Sequence, residues 1–353
     1  MGPPSIDQPF VIGSVHTSEG EIPRVSSSLR WRDRWGSYKA RWGVGRMDYT
    51  VEPGLYVLGN PNKQASVLVT ANYKMSFDRL RQALADLSTW ILVLDTQGIN
   101  VWCAAGKGTF GTEELIRRIE TANLSDIVAH RDLILPQLSG PGIAAHQVNK
   151  LSGFRVTYGP IRASDLPAFL HAGSKATPEM RLKTFDIGER TALIPMELVS
   201  ALKVGALIIP LLLIIGGLLG PEGFWTNVSD YGLSAVSALL TAITAGAVLT
   251  PLLLPWLPGR AFSFKGMIMG LIAVLALWVY ELDGTGPWEI SLEIGAWSLL
   301  VPAISAYLAM NFTGASTYTS LSGVKKEMRR AVPLEIGAGL AGLILWLSFL
   351  LTA

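Results

Sequence analysis

Five apolar blocks, each long enough to cross a bilayer, fill the second half of this chain and dictate most of what it can fold into. They run from Glu197 to Leu219, Leu233 to Trp256, Phe264 to Tyr280, Ile290 to Phe312 and Val332 to Leu351. At ~1.5 Å rise per residue, a helix of ~20 apolar residues covers the ~30 Å of hydrocarbon and satisfies its own backbone there. Half of the 353 residues are hydrophobic, but unevenly placed. Up to about Ile187 the chain mixes charges, Gly/Pro turns and short apolar runs. The expectation is a soluble domain followed by an all-α, five-helix transmembrane domain.

Charge in the connections sets an expected orientation. Residues 220–231 hold Glu222 and Asp230, and residues 281–289 hold Glu281, Asp283 and Glu289, with no lysine or arginine in either stretch. The alternate connections hold Arg260 with Lys265, and then Lys325, Lys326, Arg329 and Arg330. Basic loops stay in the cytoplasm. The soluble domain is therefore expected on the cytoplasmic side of the inner membrane, with the C-terminus outside. Glu197, Lys203, Glu293 and Glu335 fall near block ends, within snorkelling reach of the interface. Passive anchoring and a substrate path both remain open for the blocks. The hydroxyl-rich run from Asn311 to Arg330 reads as a flexible basic connector or as a contact for the soluble domain or a partner. The opening "MGPPSIDQPFVIGS" has neither a basic nor a long apolar region, so no cleaved signal is expected.

The soluble half divides into an Arg/Trp-rich arm (1–50), an α/β domain (51–175) and a linker (176–196), with the membrane domain at 197–353. In the arm, "LRWRDRWGSYKARWGVGRMDY" interleaves arginine with aromatic rings. Such a segment suits RNA stacking, lipid headgroups or an ordinary solvated surface. A formal net charge of only +2 gives nucleic acid no general support. From Ser66 the pattern alternates: "SVLVTANY" as a strand, Ser76 to Leu87 as a helix, "TWILVLDT" as a strand, and "GTEELIRRIE" as a helix capped by Thr112. "DIVAHRDLILPQL" and "GFRVTYGPI" supply further strands, and "ASDLPAFLHAG" a closing helix. Alternation of this kind implies a Rossmann-like, mainly parallel sheet with ligands beyond its carboxyl edge.

"INVWCAAGKGTFG" follows one of those strands and contains Cys103, the only cysteine. A lone cysteine precludes an intrachain disulfide, a four-thiolate zinc site and an iron-sulfur cluster held by this chain's cysteines. "GKGTFG" matches G-x-G-x-x-G, but nine residues separate it from Thr96, too many for a tight dinucleotide turn. The spacing for a phosphate loop fails outright. A helix from Asn100 to Lys107 is expected instead, capped by Asn100, with Cys103, Ala104 and Lys107 along one face and Ala104, Ala105 and Gly106 keeping it flat. Such a surface suits a large planar partner with a metal at its centre; an inert buried thiol is the alternative. A cysteine-nucleophile acyl enzyme lacks an identifiable base, since sequence does not place His130 beside Cys103.

The octapeptide "NVWCAAGK" resembles the cap-helix signature of the mercury-methylating corrinoid protein family (HgcA), whose soluble domain is related to the corrinoid domain of the corrinoid iron-sulfur protein large subunit. "RWGVGRMDYTVEPGLYVLGNP", "SVLVTANYKMSFDRL", "HRDLILPQLSGPGI" and "FTGASTYTSLSGVKKEMRR" are similar to family sequence as well, and five spans after the soluble domain match its architecture. The resemblance implies an α/β corrinoid-binding domain holding a cobalamin-type corrinoid base-off, with Cys103 as lower axial ligand to cobalt. It implies methyl transfer from cysteine-ligated methylcobalt(III) to Hg(II), forming methylmercury. The implied partners are a small HgcB-like ferredoxin with two 4Fe-4S clusters as reductant and a methylated folate, or its methyltransferase, as methyl donor. Asn100, Val101, Trp102, Ala104, Ala105, Gly106 and Lys107 would accompany Cys103 beside the corrin. Thr70, Ala71, Asn72 and Tyr73, with Gln137, Leu138, Gly140, Pro141 and Gly142, would receive its side chains or displaced tail, unless they only form turns. His130, His146 and His171 are rival ligands, although none sits in a D-x-H-x-x-G pattern. The competing reading is a non-catalytic, membrane-anchored corrinoid or nucleotide-binding sensor that docks a redox partner.

Overall fold

The computed structural model describes residues 3–282, 292–316 and 321–352. Two compact units divide the chain, Met1–Lys183 and Thr184–Ala353. The first unit contains strands β1 (Val11–Thr17), β2 (Gly20–Val25), β3 (Gly54–Leu58), β4 (Val67–Ala71), β5 (Thr89–Leu94), β6 (Asp132–Leu135) and β7 (Arg155–Tyr158). Its helices are α1 (Trp31–Arg41), α2 (Lys74–Ala83), α3 (Val101–Lys107), α4 (Thr112–Thr121), α5 (Leu124–Ile127), α6 (Ala145–Ser152) and α7 (Leu166–His171).

One seven-stranded sheet runs in the order β1-β2-β3-β5-β4-β6-β7. Strands β5, β4, β6 and β7 are parallel to one another, whereas β3 is antiparallel to β5 and β1 to β2. Every residue of β3, β4 and β5 is buried. This explains their unbroken apolar runs, because helices cover both faces of such a sheet. Val69, Leu92 and Leu133 enter one core layer, while their neighbours Leu68, Ile91 and Ile134 enter the other with Phe77 and Phe169. The chain passes from β4 to β5 on one side and then crosses to β6 on the other. The connections therefore diverge between β4 and β6, and the crevice beyond their carboxyl ends is the ligand position of open α/β sheets.

Several local expectations need correction. Residues 1–50 supply two strands and α1 rather than an arm apart from the domain. Thr112 is the first residue of α4, after the N-cap Gly111, and its hydroxyl instead accepts from the Ala144 amide at 2.8 Å. In "DIVAHRDLILPQL" only Asp132–Leu135 is strand; the start belongs to α5 and the end to a 3-10 turn, Gln137–Gly142.

The N-terminal segment is bound by a buried ion cluster that joins α1 to α2. Lys74 Nζ lies 2.8 Å from Asp33 and 2.7 Å from Asp78, and Arg81 lies 2.9 Å from Asp33 and 2.8 Å from Asp78. The Arg81 side chain is fully buried and also donates to the Ser26 and Ser28 carbonyls, just after β2. Two acids and two bases thus neutralise one another in the interior, so removing one leaves an unpaired charge there.

In the second unit the candidate spans are Ile187–Leu219, Phe224–Leu253, Phe262–Val279, Leu292–Thr313 and Ser322–Thr352. Their length and apolarity make this a membrane protein. Span two is longer than the expected Leu233–Trp256 and contains π-type turns at Val228–Gly232 and Thr244–Leu249. Spans three and four meet through small residues. A Cβ at Gly266 would lie 2.6 Å from Ala309, one at Gly270 would lie 2.6 Å from Pro302, and Ser305 donates to the Gly266 carbonyl at 2.7 Å. Small residues permit this close approach, which drives packing where lipid removes the hydrophobic incentive. The final helix begins at Leu321, so Lys325 to Arg330 are helical rather than part of a flexible connector, and Glu335 lies well inside that helix. Expectations for 283–291, including Asp283, Glu289 and the block start Ile290, and for 317–320 lie outside the described residues.

Arg81→Ala should destabilise the first unit by roughly 3–5 kcal/mol, read by urea unfolding of the full chain in lipid discs. Burial pushes the Asp33 carboxyl up, but Lys74, the Arg30 amide and Arg81 hold it below its ordinary value overall. A depressed carboxyl stabilises above its unfolded value of about 3.9 and ceases to do so as pH falls through the folded one. Asp33→Asn should accordingly be destabilising at neutral pH, with the difference shrinking in acid; a pH-independent difference would contradict the cluster's role.

Candidate functional site

The loop from β5 to α3 is held by one side chain. Asn72, immediately after β4, accepts through Oδ1 from the Thr96 and Gly98 amides, both at 3.1 Å, and donates through Nδ2 to Asp95 at 3.3 Å. The Thr96 hydroxyl lies 2.8 Å from the same oxygen and 2.7 Å from the Ile99 carbonyl. The bundle fixes where α3 begins. At that start Asn100 Oδ1 accepts from the Cys103 amide at 2.9 Å, and Gly108 ends the helix in a left-handed conformation at φ 83°. An Asn cap satisfies an otherwise orphaned first-turn amide.

The faces of α3 differ from the expected arrangement. Val101, Ala104 and Ala105 are buried in the core, whereas Trp102, Cys103, Gly106 and Lys107 are exposed. Ala104 and Ala105 thus seat the helix rather than flatten its outer face. Their seat is the 3-10 turn after β6. A Cβ at Gly142 would overlap the Phe110 carbonyl oxygen and lie 3.0 Å from Ala105 Cα. By contrast, a Cβ at Gly106 meets nothing within 4 Å, leaving open room beside the thiol.

The three expected segments therefore gather at one edge. Thr70–Tyr73 end β4, 95–107 follow β5 and 136–142 follow β6. Their side chains do not all face outward. Thr70, Ala71, Asn72 and Tyr73 are buried, Leu138 packs on the core, and Gln137 accepts from Arg181 at 2.6 Å. Gly140 and Pro141 stay accessible, and the Gly140 position is open. His130 is committed to backbone: Nε2 is 3.0 Å from the Ala65 carbonyl and Nδ1 accepts from the Asp132 amide. His146 and His171 are exposed on α6 and α7. The glycines of "GKGTFG" lie at the end of α3 and before α4, away from any strand-to-helix turn. A separate cleft of about 560 Å³, lined by Arg32, Glu52, Asn72, Lys74 and Asp95 among others, includes no residue of α3 or of 136–142.

Residues missed from sequence are those that brace the loop. Glu114 accepts from the Asp95 amide at 2.8 Å and pairs with Arg118 at 2.8 Å. Burial pushes its carboxyl up, but the Asp95 amide, Arg118 and the neighbouring Arg117 bring it below its ordinary value. A glutamate in a helix first turn carries no sequence signal for a bond to a distant loop amide.

Residues 44–170 match the family described as CO dehydrogenase/acetyl-CoA synthase delta subunit. The acetyl-CoA decarbonylase/synthase complex subunit gamma of Methanopyrus kandleri is 37% identical over 123 residues, 34% of this chain and 26% of that one. The corrinoid/iron-sulfur protein large subunit of Moorella thermoacetica is 26% identical over 124 residues, 35% of this chain and 27% of that one. The matched residues form a domain related to that large subunit. The match contains α3 and all three edge segments, and stops short of the spans. The chain spans about a quarter of the length of these relatives.

The seating of α3 predicts a contrast within one turn. Gly142→Ala should weaken the α3 seat by roughly 1–3 kcal/mol, seen as faster amide hydrogen exchange across 101–107 in the full chain. Gly140→Ala should leave that exchange unchanged. Equal exchange in the two variants would mean that the close contact does not hold the helix.

Proposed function

We propose that this chain is a membrane-bound corrinoid methyltransferase acting on Hg(II). The observation that carries the reading is the sole cysteine, exposed at the capped start of a helix on the carboxyl edge of a domain related to the corrinoid/iron-sulfur protein large subunit. The octapeptide from Asn100 to Lys107, with its resemblance to the mercury-methylating family, favours mercury over other methyl acceptors.

A corrinoid fits the residues present. The outer face of α3 offers one soft sulfur donor with the open Gly106 position beside it, as a broad planar ligand requires. When bound, the corrinoid would supply a cobalt centre able to carry a methyl group and to give it up, with its bonding electrons, to Hg(II). Cys103 would hold that cobalt as a thiolate. Anionic sulfur donates more electron density than a neutral imidazole, which favours release of a carbanion-like methyl group to an electrophilic metal ion. Asn100 fixes the Cys103 backbone, while Trp102 and Lys107 flank the sulfur on the exposed side. Asn72 acts one step back, as a positioning residue for the loop that presents the helix. Pro141, the exposed member of the neighbouring turn, and Gly140, whose position is open, would meet the corrin periphery.

The sequence contains one cysteine, which the proposal commits to cobalt. The reductant would then be a separate small ferredoxin with two 4Fe-4S clusters, and a methylated folate or its methyltransferase would supply the methyl group. The basic residues between spans two and three and at the start of span five favour a cytoplasmic site for this exchange.

The test uses corrinoid-loaded full chain. Cys103→Ala should change the visible spectrum of the bound corrinoid and abolish methylmercury formation, while hydrogen exchange in β4 and β5 stays as in the native chain. Cys103→His should retain the corrinoid but lose most of the methylation. Undiminished methylation in the alanine variant would sink the reading.

A further inference from the structure

The helix α1 has a face that the proposed chemistry does not use. Trp31, Trp35 and Tyr38, with Trp42 at the C-cap, follow the spacing i, i+4, i+7, i+11. At about 100° per residue these positions fall within roughly 60° of arc. All four are exposed, at 70%, 51%, 58% and 47%, and the Trp31 and Trp35 rings stack at 6.0 Å. Aromatic rings normally bury, so a ridge of four in solvent marks an interaction surface.

The rest of α1 accounts for its orientation. Asp33 and Ala40, opposite the ridge, are buried, and a Cβ at Gly36 would overlap the Tyr49 ring. The only carboxylate of α1 is Asp33, which is turned inward into the ion cluster. Arg32 and Lys39 flank the ridge on one side and Arg34 on the other, all exposed. The outward surface of α1 is therefore aromatic along its crest and purely basic along both flanks.

We propose that α1 docks on the anionic surface of the bilayer that holds this chain's own spans. Indole and phenol rings partition to the headgroup level, and flanking cations attract anionic lipid. The spans tether the first unit to that surface, so the contact forms within one molecule at high effective concentration. RNA also stacks on aromatic rings, but stacking platforms lie beside a basic groove, whereas this ridge stands on the convex side of a helix. A bilayer surface takes such a ridge without a groove.

Depth measurements on the full chain in lipid discs test this. In a Cys103→Ala background, a nitroxide at Tyr38→Cys should be open to oxygen and shielded from a nickel chelate in discs rich in phosphatidylglycerol. Nickel accessibility should rise several-fold in pure phosphatidylcholine, and in anionic discs when Arg32→Glu and Lys39→Glu are added. A nitroxide at Asp126→Cys, an exposed position of α5, should be nickel-accessible throughout. Because the label replaces one ridge residue, lipid photo-crosslinking of the unmodified chain gives an independent reading, with adducts expected within 31–42 from anionic lipid. Equal nickel accessibility at position 38 in both lipids, an absence of adducts, or shielding that appears only when RNA or another protein is added would overturn the proposal.

Discussion

Gly142 and Ala105 approach so closely that no side chain fits between them, and the presentation of Cys103 depends on that contact. The turn after β6 can support α3 only because position 142 lacks a Cβ. With Ala104 and Ala105 pressed inward, the helix has a single free face, and the thiol is on it. The Asn72 bundle acts from the other end, fixing the loop through which α3 leaves β5. Packing and hydrogen bonding thus restrain one short helix of seven residues, which is too short to be stable alone.

This division of labour explains what the sequence disclosed. Apolar runs identified β4 and β5 because those strands are covered on both faces, and composition alone separated the spans from the first unit. The cap at Asn100 was legible because an Asn before a short helix has a defined local task. The inward turn of Ala104 and Ala105 was not. Spacing on a helix places residues on a common face, but only the partner at Gly142, many residues away, decides which face is buried. The same applies to Thr112, whose hydroxyl serves the Ala144 amide instead of its own helix. The place of residues 1–50 in this unit was hidden for a related reason, since β2 joins the sheet through β3 and α1 is held by the pairing of Asp33 with Lys74 and Arg81.

That cluster also links the two surfaces proposed to act. It turns the one acid of α1 inward, leaving the aromatic ridge flanked by bases alone, and it anchors α2 directly after the β4 end that carries Asn72. A bilayer-facing ridge and a corrinoid-facing helix would then share one rigid sheet. Membrane attachment would constrain the direction from which a reductant or a mercury carrier approaches Cys103.

The central proposal is that Cys103 sulfur binds the cobalt of a corrinoid. Cobalt-edge X-ray absorption on the corrinoid-loaded full chain tests it most directly, because sulfur and nitrogen scatter distinguishably in the first shell. A cobalt–sulfur path is expected in the native chain and should disappear in Cys103→Ala. A first shell of nitrogen and oxygen alone in the native chain would contradict it.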